Sequence, residues 1–178
     1  MPNRAILLIE LANLDCALSI IKESRGISPK LKTDYKKLIQ LLTLGHYVIE
    51  KKVYIGKKQN SSKHQIFFDF FGKIGFQIVT KEQKLIKLPD GEIKCKANFD
   101  VEITFDACWH MSKGTCDEII LISGDSDFSY LIQKAKKLNM PIKVISSEKT
   151  VSTELRKSAN NLVLLDEIDI SQYLYEKK

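Results

Sequence analysis

The sequence predicts a three-layer α/β domain with a largely parallel central sheet flanked by helices, and three observations carry that expectation. Short apolar runs, such as residues 5–9 (AILLI) and 118–122 (EIILI), suit strands buried on both faces. Longer stretches between such runs place apolar residues at helical spacing. The two patterns alternate without repeats, low-complexity tracts or long linkers, as βα units do. At 178 residues the chain suits a single domain, 1–178, with room for a proper core.

The elements follow in order. Residues 5–9 form the first strand. Leu14, Ala17, Leu18 and Ile21 then make the apolar face of a helix over 13–23, ended by Gly26. Ser28-Pro29 opens a loop, and Tyr35, Leu38, Ile39 and Leu42 stripe a second helix closed by Gly45. Tyr47, Ile49, Val53 and Ile55 alternate with polar residues and predict a strand. Ser61 or Ser62 can cap a third helix with the body HQIFFDFFGKIG, followed by a short strand at 76–80. Pro89-Asp90-Gly91 predicts a hairpin turn with arms 85–88 and 92–95. Phe99, Ile103 and Ala107 restore the helical period. The strand 118–122 runs through SGDSDF into a helix bearing Phe128, Leu131, Ile132 and Ala135. A strand at 141–146, a short helix at 153–159 and an apolar segment at 162–165 complete the pattern.

Composition narrows the class. Hydrophobic content of 44% with 28% charged residues belongs to a globular chain. No apolar run approaches the roughly 18 residues a membrane span needs, so no membrane partner is expected. AILLI is followed by Glu10 and Asp15, too short and too acidic for a signal peptide, so a cytoplasmic location is expected. Cys16, Cys95, Cys108 and Cys116 show no CxxC pairing. Cys108, His110 and Cys116 invite a zinc site but lack tight ligand pairs, and buried, reduced thiols are the expectation.

Charge is uneven along the chain. Residues 1–100 carry 18 Lys/Arg against 10 Asp/Glu, and residues 101–178 carry 10 against 12. Between Lys51 and Lys96 the count is 11 basic to 4 acidic. A basic middle beside acidic motifs suits a polyanion held against a cation centre. The alternative is a solvated lysine surface that keeps the protein soluble.

In a parallel α/β sheet the loops after the strands gather at one edge, where ligands bind beside the point of strand-order reversal. Glu10 follows AILLI directly, and Asp125 and Asp127 follow EIILI. Asp100 begins a helix. Carboxylates converging there cannot all stay ionised without compensation, and a hard divalent ion such as Mg²⁺ or Mn²⁺ supplies it. Each acid also has a plainer reading: Asp125, Asp127 and Asp100 suit helix caps or first turns. Glu10 does not fit that reading as well. Asp106, six residues past Asp100, is rotated by roughly 120° and displaced by about 9 Å, too far to share an ion.

These residues resemble the NYN domain family, in its LabA-like branch of the PIN-like nucleases. The family's first motif is an apolar strand followed by Asp-x-x-Asn; here it reads LLIELAN, with Glu10 in the acidic place and Asn13 matching. A basic residue shortly before an apolar-Asp-Val at a helix start is matched by KANFDV, with Asp100. A strand running into SGDSDF is matched in full by LISGDSDFSYLI. PIKVIS and STELRKSANNLVLL are similar to the closing segments, although Asn160 stands where an Asp is common. SGDSDF is also similar to a motif of haloacid dehalogenase phosphatases, whose Asp-x-Asp nucleophile Glu10-Leu11-Ala12 does not supply.

The resemblance implies a PIN-like fold and a metal-dependent endoribonuclease site. Glu10, Asp100, Asp125 and Asp127 would be catalytic and would hold Mg²⁺ or Mn²⁺, directly or through water. Asn13 would orient the first acid or meet a phosphate, and Ser123 would support the site. Lysines of the basic middle (Lys57, Lys58, Lys94, Lys96), with Arg156 and Lys157, would meet the RNA backbone with little sequence choice. Glu10 departs from the family's Asp by one methylene, and Mg²⁺ tolerates little error in geometry. That departure keeps open a catalytically weak RNA-binding or regulatory module. DNA is the alternative substrate, because phosphate contacts do not distinguish the sugars. The phenylalanines of HQIFFDFFGKIG offer more apolar surface than one stripe needs, which suggests either a homodimer contact or packing onto the sheet.

Overall fold

A computed structural model of the chain describes residues 3–57, 63–87, 91 and 93–176. Six strands form the main sheet: β1 (Asn3–Glu10), β3 (His46–Lys57), β4 (Gln77–Glu82), β7 (Glu118–Ile122), β8 (Ile142–Ser146) and β9 (Asn161–Leu164). Their order is β4-β3-β1-β7-β8-β9, and every neighbouring pair is parallel. The chain adds strands to one side of β1 and then crosses to the other, so strand order reverses at β1 and β7. The protein is an α/β fold of the predicted kind, and its carboxyl edge holds the reversal point.

Side chains on β1 alternate between the two layers. Ala5, Leu7 and Ile9 join the core beneath α1 (Leu11–Ser24), α2 (Tyr35–Leu42) and α3 (Lys63–Lys73). Ile6 and Leu8 join the core beneath α4 (Asp100–Lys113), α5 (Ser129–Lys137) and α6 (Thr153–Ser158). All five residues of β7 are buried, which explains why EIILI lacks polar alternation. Glu10 continues the even-numbered series and therefore lies on the α4 side.

The α3 phenylalanines pack inward. Phe71 is fully buried and meets Phe76 and Phe70 at 5.3 Å between ring centres, while Phe67, Phe68 and Phe70 cover the α1–α3 core. Burying one such ring stabilises the fold by about 1.5–3 kcal/mol. Packing on the sheet thus accounts for these rings. Exposed apolar side chains remain at Ile66 on α3 and on α4, where Val101, Phe105 and Trp109 face outward one turn apart.

Two small pairings lie outside the main sheet. β2 (Leu31–Thr33) pairs antiparallel with β10 (Leu174–Glu176), tying the chain's end to the loop before α2. β5 (Lys84–Lys87) and β6 (Ile93–Lys96) form the predicted hairpin. Its turn at 88–90 and Glu92, like the caps at Ser61 or Ser62, lies outside the described residues. The cysteines correct the expectation of buried thiols. Cys116 is buried, but Cys16 and Cys108 are exposed, because each lies on the outward face of its helix. No described helix is long and apolar enough to cross a membrane.

Candidate metal centre

The site is assembled by strand register. Ile9 of β1 pairs with Ile122 of β7, which sets Glu10, the last residue of β1, beside Ser123, the first residue after β7. Ser123 Oγ donates to Glu10 Oε2 at 2.8 Å and accepts from the Asp125 N–H at 3.2 Å. The Gly124 N–H donates to Asn13 Oδ1 at 3.3 Å, which ties the first turn of α1 to the same loop. Glu10 occupies the N-cap position of α1, yet its side chain makes no capping bond. Its carboxylate is committed to the site instead.

Asp125 begins a 3-10 turn and accepts from the Asp127 N–H at 3.1 Å, so the capping role expected of it is real. It does not exhaust the residue. Asp100, the first residue of α4, arrives from the other direction, and its N–H donates to Asn98 Oδ1 at 2.9 Å. Asp100, Asp125 and Asp127 each bring one carboxylate oxygen to within 4.8 Å of the others. Glu10 falls outside that trio and stands behind it, nearly buried at 7% exposure.

Electrostatics match the geometry. Burial pushes the Glu10 carboxyl above its ordinary value of 4.5; the charges of Asp125 and Asp100 add to the rise, and bonds from Ser123 and Asn13 oppose it. Asp100 is also raised, first by burial and then by its contact with Asp127 and the charge of Asp125. The group offers hard carboxylate oxygens with neither sulfur nor imidazole among them. Crowded carboxylates of this kind fit an Mg²⁺- or Mn²⁺-sized cation, which relieves their mutual repulsion.

Gly124 is a steric requirement of the loop. A Cβ at this position would lie 2.3 Å from the Thr150 carbonyl oxygen and 2.9 Å from Ser146 Oγ. The loop is further held by the Ser152 N–H, which donates to the Gly124 carbonyl at 2.9 Å, while Ser152 Oγ caps α6. The segment STEL thus anchors the loop that bears Asp125.

The expected substrate contacts divide. Lys57 ends β3 at the same sheet edge, with its ammonium over the Phe68 ring at 5.3 Å. Lys94 and Lys96 lie on β6, opposite Ile86 and Lys84. Lys58 lies outside the described residues. Arg156 is already ion-paired with Glu148 at 2.9 Å, so its charge is largely matched. Sequence reasoning did not single out Lys81 and Lys84, which line a cavity of about 470 Å³ with Asp100 and Asn98. Their charge was visible; their nearness to Asp100 depends on the path from β4 into the hairpin.

Two other groups are structural. Asp106 accepts from Tyr54 Oη at 2.6 Å and Lys52 Nζ at 2.7 Å, away from the trio as its helical spacing required. His110 is buried, with Nδ1 against Thr115 Oγ1 at 2.8 Å and Nε2 3.3 Å from Glu50, and among the described residues it joins no metal-ligating group.

The NYN domain family model matches residues 4–166, a span that holds Glu10, Asn13, Asp100, Asp125 and Asp127. The chain belongs to the NYN domain family. A stretch of 73 residues is 33% identical to the Low amplitude and bright protein LabA of Synechococcus elongatus, which supports the LabA-like branch. That match covers 41% of this chain and 38% of the relative, so the NYN chain spans well under half of that protein's length. A crystal structure of a protein of unknown function from Vibrio parahaemolyticus is similar over 98% of this chain and 97% of its own, with a TM-score of 0.71 and 25% identity. Membership gives this NYN domain a nuclease- and nucleic-acid-related setting, in a family whose nucleases usually use divalent metals.

Proposed function

We propose that this NYN domain is a metal-dependent endoribonuclease whose centre is formed by Glu10, Asp100, Asp125 and Asp127. The observation that carries this reading is the approach of Asp100, Asp125 and Asp127 to within 4.8 Å of one another. These three would hold Mg²⁺ or Mn²⁺. Glu10, fixed by Ser123 and Asn13, would take part through its own oxygens or through water. A bound divalent ion supplies charge neutralisation at the scissile phosphate and activation of water.

The chain's own residues do the positioning. Ser123 couples Glu10 to the Asp125 loop, so the ends of β1 and β7 hold one geometry. Asn13 holds the Gly124 amide and fixes the turn between the strand and the acids. Lys84, beside Asp100, would meet backbone phosphates with Lys57 on the same edge, whereas Lys81 is already matched by Glu102 at 2.6 Å and by the Asn98 carbonyl. Lys94 and Lys96, on the hairpin, are proposed to extend that contact. Contacts of this kind give affinity without sequence choice.

Purified protein incubated with RNA and Mn²⁺ or Mg²⁺ tests the reading. Cleavage that stops with EDTA and falls to background in Asp125→Asn is expected, and wild-type cleavage no greater than that of Asp125→Asn overturns it. RNA and DNA of the same sequence, side by side, decide the sugar. A second reading, RNA binding without cleavage, is favoured by one observation: Glu10 stands outside the trio of acids. Tight, EDTA-indifferent RNA binding without cleavage would establish it.

A further inference from the structure

We propose that the cavity beside the metal centre, between the tips of β1 and β3 and the start of α3, is a nucleobase subsite that selects guanine in the RNA substrate. The inference rests on the nuclease reading above. The cavity holds about 210 Å³ and is lined by Leu11, Asp15, Ile55, Gly56, Phe67 and Gln83, with Ala12 at its edge. That is several times the roughly 30 Å³ a water molecule occupies in the liquid, so one trapped water does not fill it. Leu11 follows Glu10 directly, and Gln83 stands between Glu82 and Lys84, which line the cavity that contains Asp100, so the two cavities are neighbours at this sheet edge.

Its walls have the character of a base pocket. Leu11, Ile55 and the Phe67 ring supply apolar and aromatic surface, against which unpaired bases stack. Two of its polar groups have acceptor capacity to spare, while the Gln83 Nε2 packs on Gly56, 3.0 Å from where a Cβ there would lie. Gln83 Oε1 is buried and has no hydrogen-bond partner among the described residues. The Asp15 carboxylate receives one bond, from the Tyr35 hydroxyl, and retains acceptor capacity. Gly56 gives Gln83 its place, since a Cβ there would lie 2.9 Å from Gln83 Cγ and 2.8 Å from Ala97 Cβ. The Gln83 N–H also donates to the Lys57 carbonyl at 2.9 Å, which holds the residue over the end of β3.

Two acceptors around a flat apolar slot call for a base with two neighbouring donors. Guanine presents N1–H and N2–H₂ side by side on one edge. Adenine and cytosine each pair a donor with an acceptor there, and uracil has a single N–H. A site built to bond particular donors rejects analogues that leave its buried acceptors unpaired.

The test has two arms. Metal-free protein is titrated with 5′-GMP, 5′-AMP, 5′-CMP and 5′-UMP by NMR, and cuts in a mixed-sequence RNA are mapped with Mn²⁺. GMP is expected to bind roughly tenfold tighter than the others, the equivalent of one well-placed bond. Cuts are expected beside G. Gln83→Ala and Asp15→Asn should each erase both preferences while Mn²⁺ binding is retained. Equal binding of all four nucleotides, or a GMP preference that survives both substitutions, overturns the subsite. RNA cleavage without base preference then leaves the nuclease standing, whereas selective GMP binding without any cleavage removes the nuclease and leaves the subsite.

Discussion

Ser123 Oγ donates to Glu10 Oε2 across the junction of β1 and β7, 113 residues apart in sequence. Both residues are almost fully buried. The bond couples the longer acid of this chain to the loop that carries Asp125. Ser123→Ala removes a donor from a buried carboxylate and should cost about 1–3 kcal/mol of stability, read by denaturant unfolding. Because Ser123 acts through the acids it orients, RNA cleavage and Mn²⁺ affinity should each fall by about 10–100-fold.

Gly124 is held against the Thr150 carbonyl oxygen, which cannot yield as a side chain can. Gly124→Ala should therefore displace the loop and destabilise the protein by about 1–3 kcal/mol or more. Thermal unfolding and Mn²⁺ titration check this. A variant that keeps wild-type stability and metal affinity would refute the steric account.

Asp106 belongs to a polar cluster with Lys52 and Tyr54 between β3 and α4. Asp106→Asn leaves Glu50, at 3.2 Å, as the remaining carboxylate on Lys52 among the described residues. The predicted loss is about 1–3 kcal/mol of stability. Cleavage rate should not change at a temperature where the variant is folded, in contrast to Asp100→Asn.

Asp15 adds a pH dependence that a single substitution can isolate. Burial raises its carboxyl above the ordinary 3.8, against the opposing bond from Tyr35 and the charge of Lys22. An acid raised in the folded state binds its proton more tightly there than in the unfolded chain. Its stabilising contribution is full below about pH 3.8 and is lost as pH rises through the raised value. Asp15→Asn does not ionise, so its stability relative to wild type should climb across that window and then level. A difference that is flat with pH contradicts the assignment.

Much of this was legible in the sequence because burial leaves a pattern. The five apolar residues of AILLI and the run EIILI announced β1 and β7, and SGDSDF announced a loop rich in acids. Glu10 was legible as the acid at the end of the first strand, but its seat beside Ser123 and outside the trio was not, because it depends on the Ile9–Ile122 register, a long-range pairing. β2 and β10 were invisible, since three residues each are too few to show a period. The basic stretch marked a charged surface but not which lysines stand by Asp100, a matter of the turn after β4. The cysteines misled because a thiol on an outward helix face carries no local signal of its exposure.

The central claim, that these carboxylates hold a divalent ion, is tested most directly by anomalous diffraction from crystals soaked in Mn²⁺. A peak about 2 Å from carboxylate oxygens of Asp100, Asp125 or Asp127, absent in Asp125→Asn crystals, is the predicted result. No peak among these acids at saturating Mn²⁺, or a peak held by other residues alone, would contradict it.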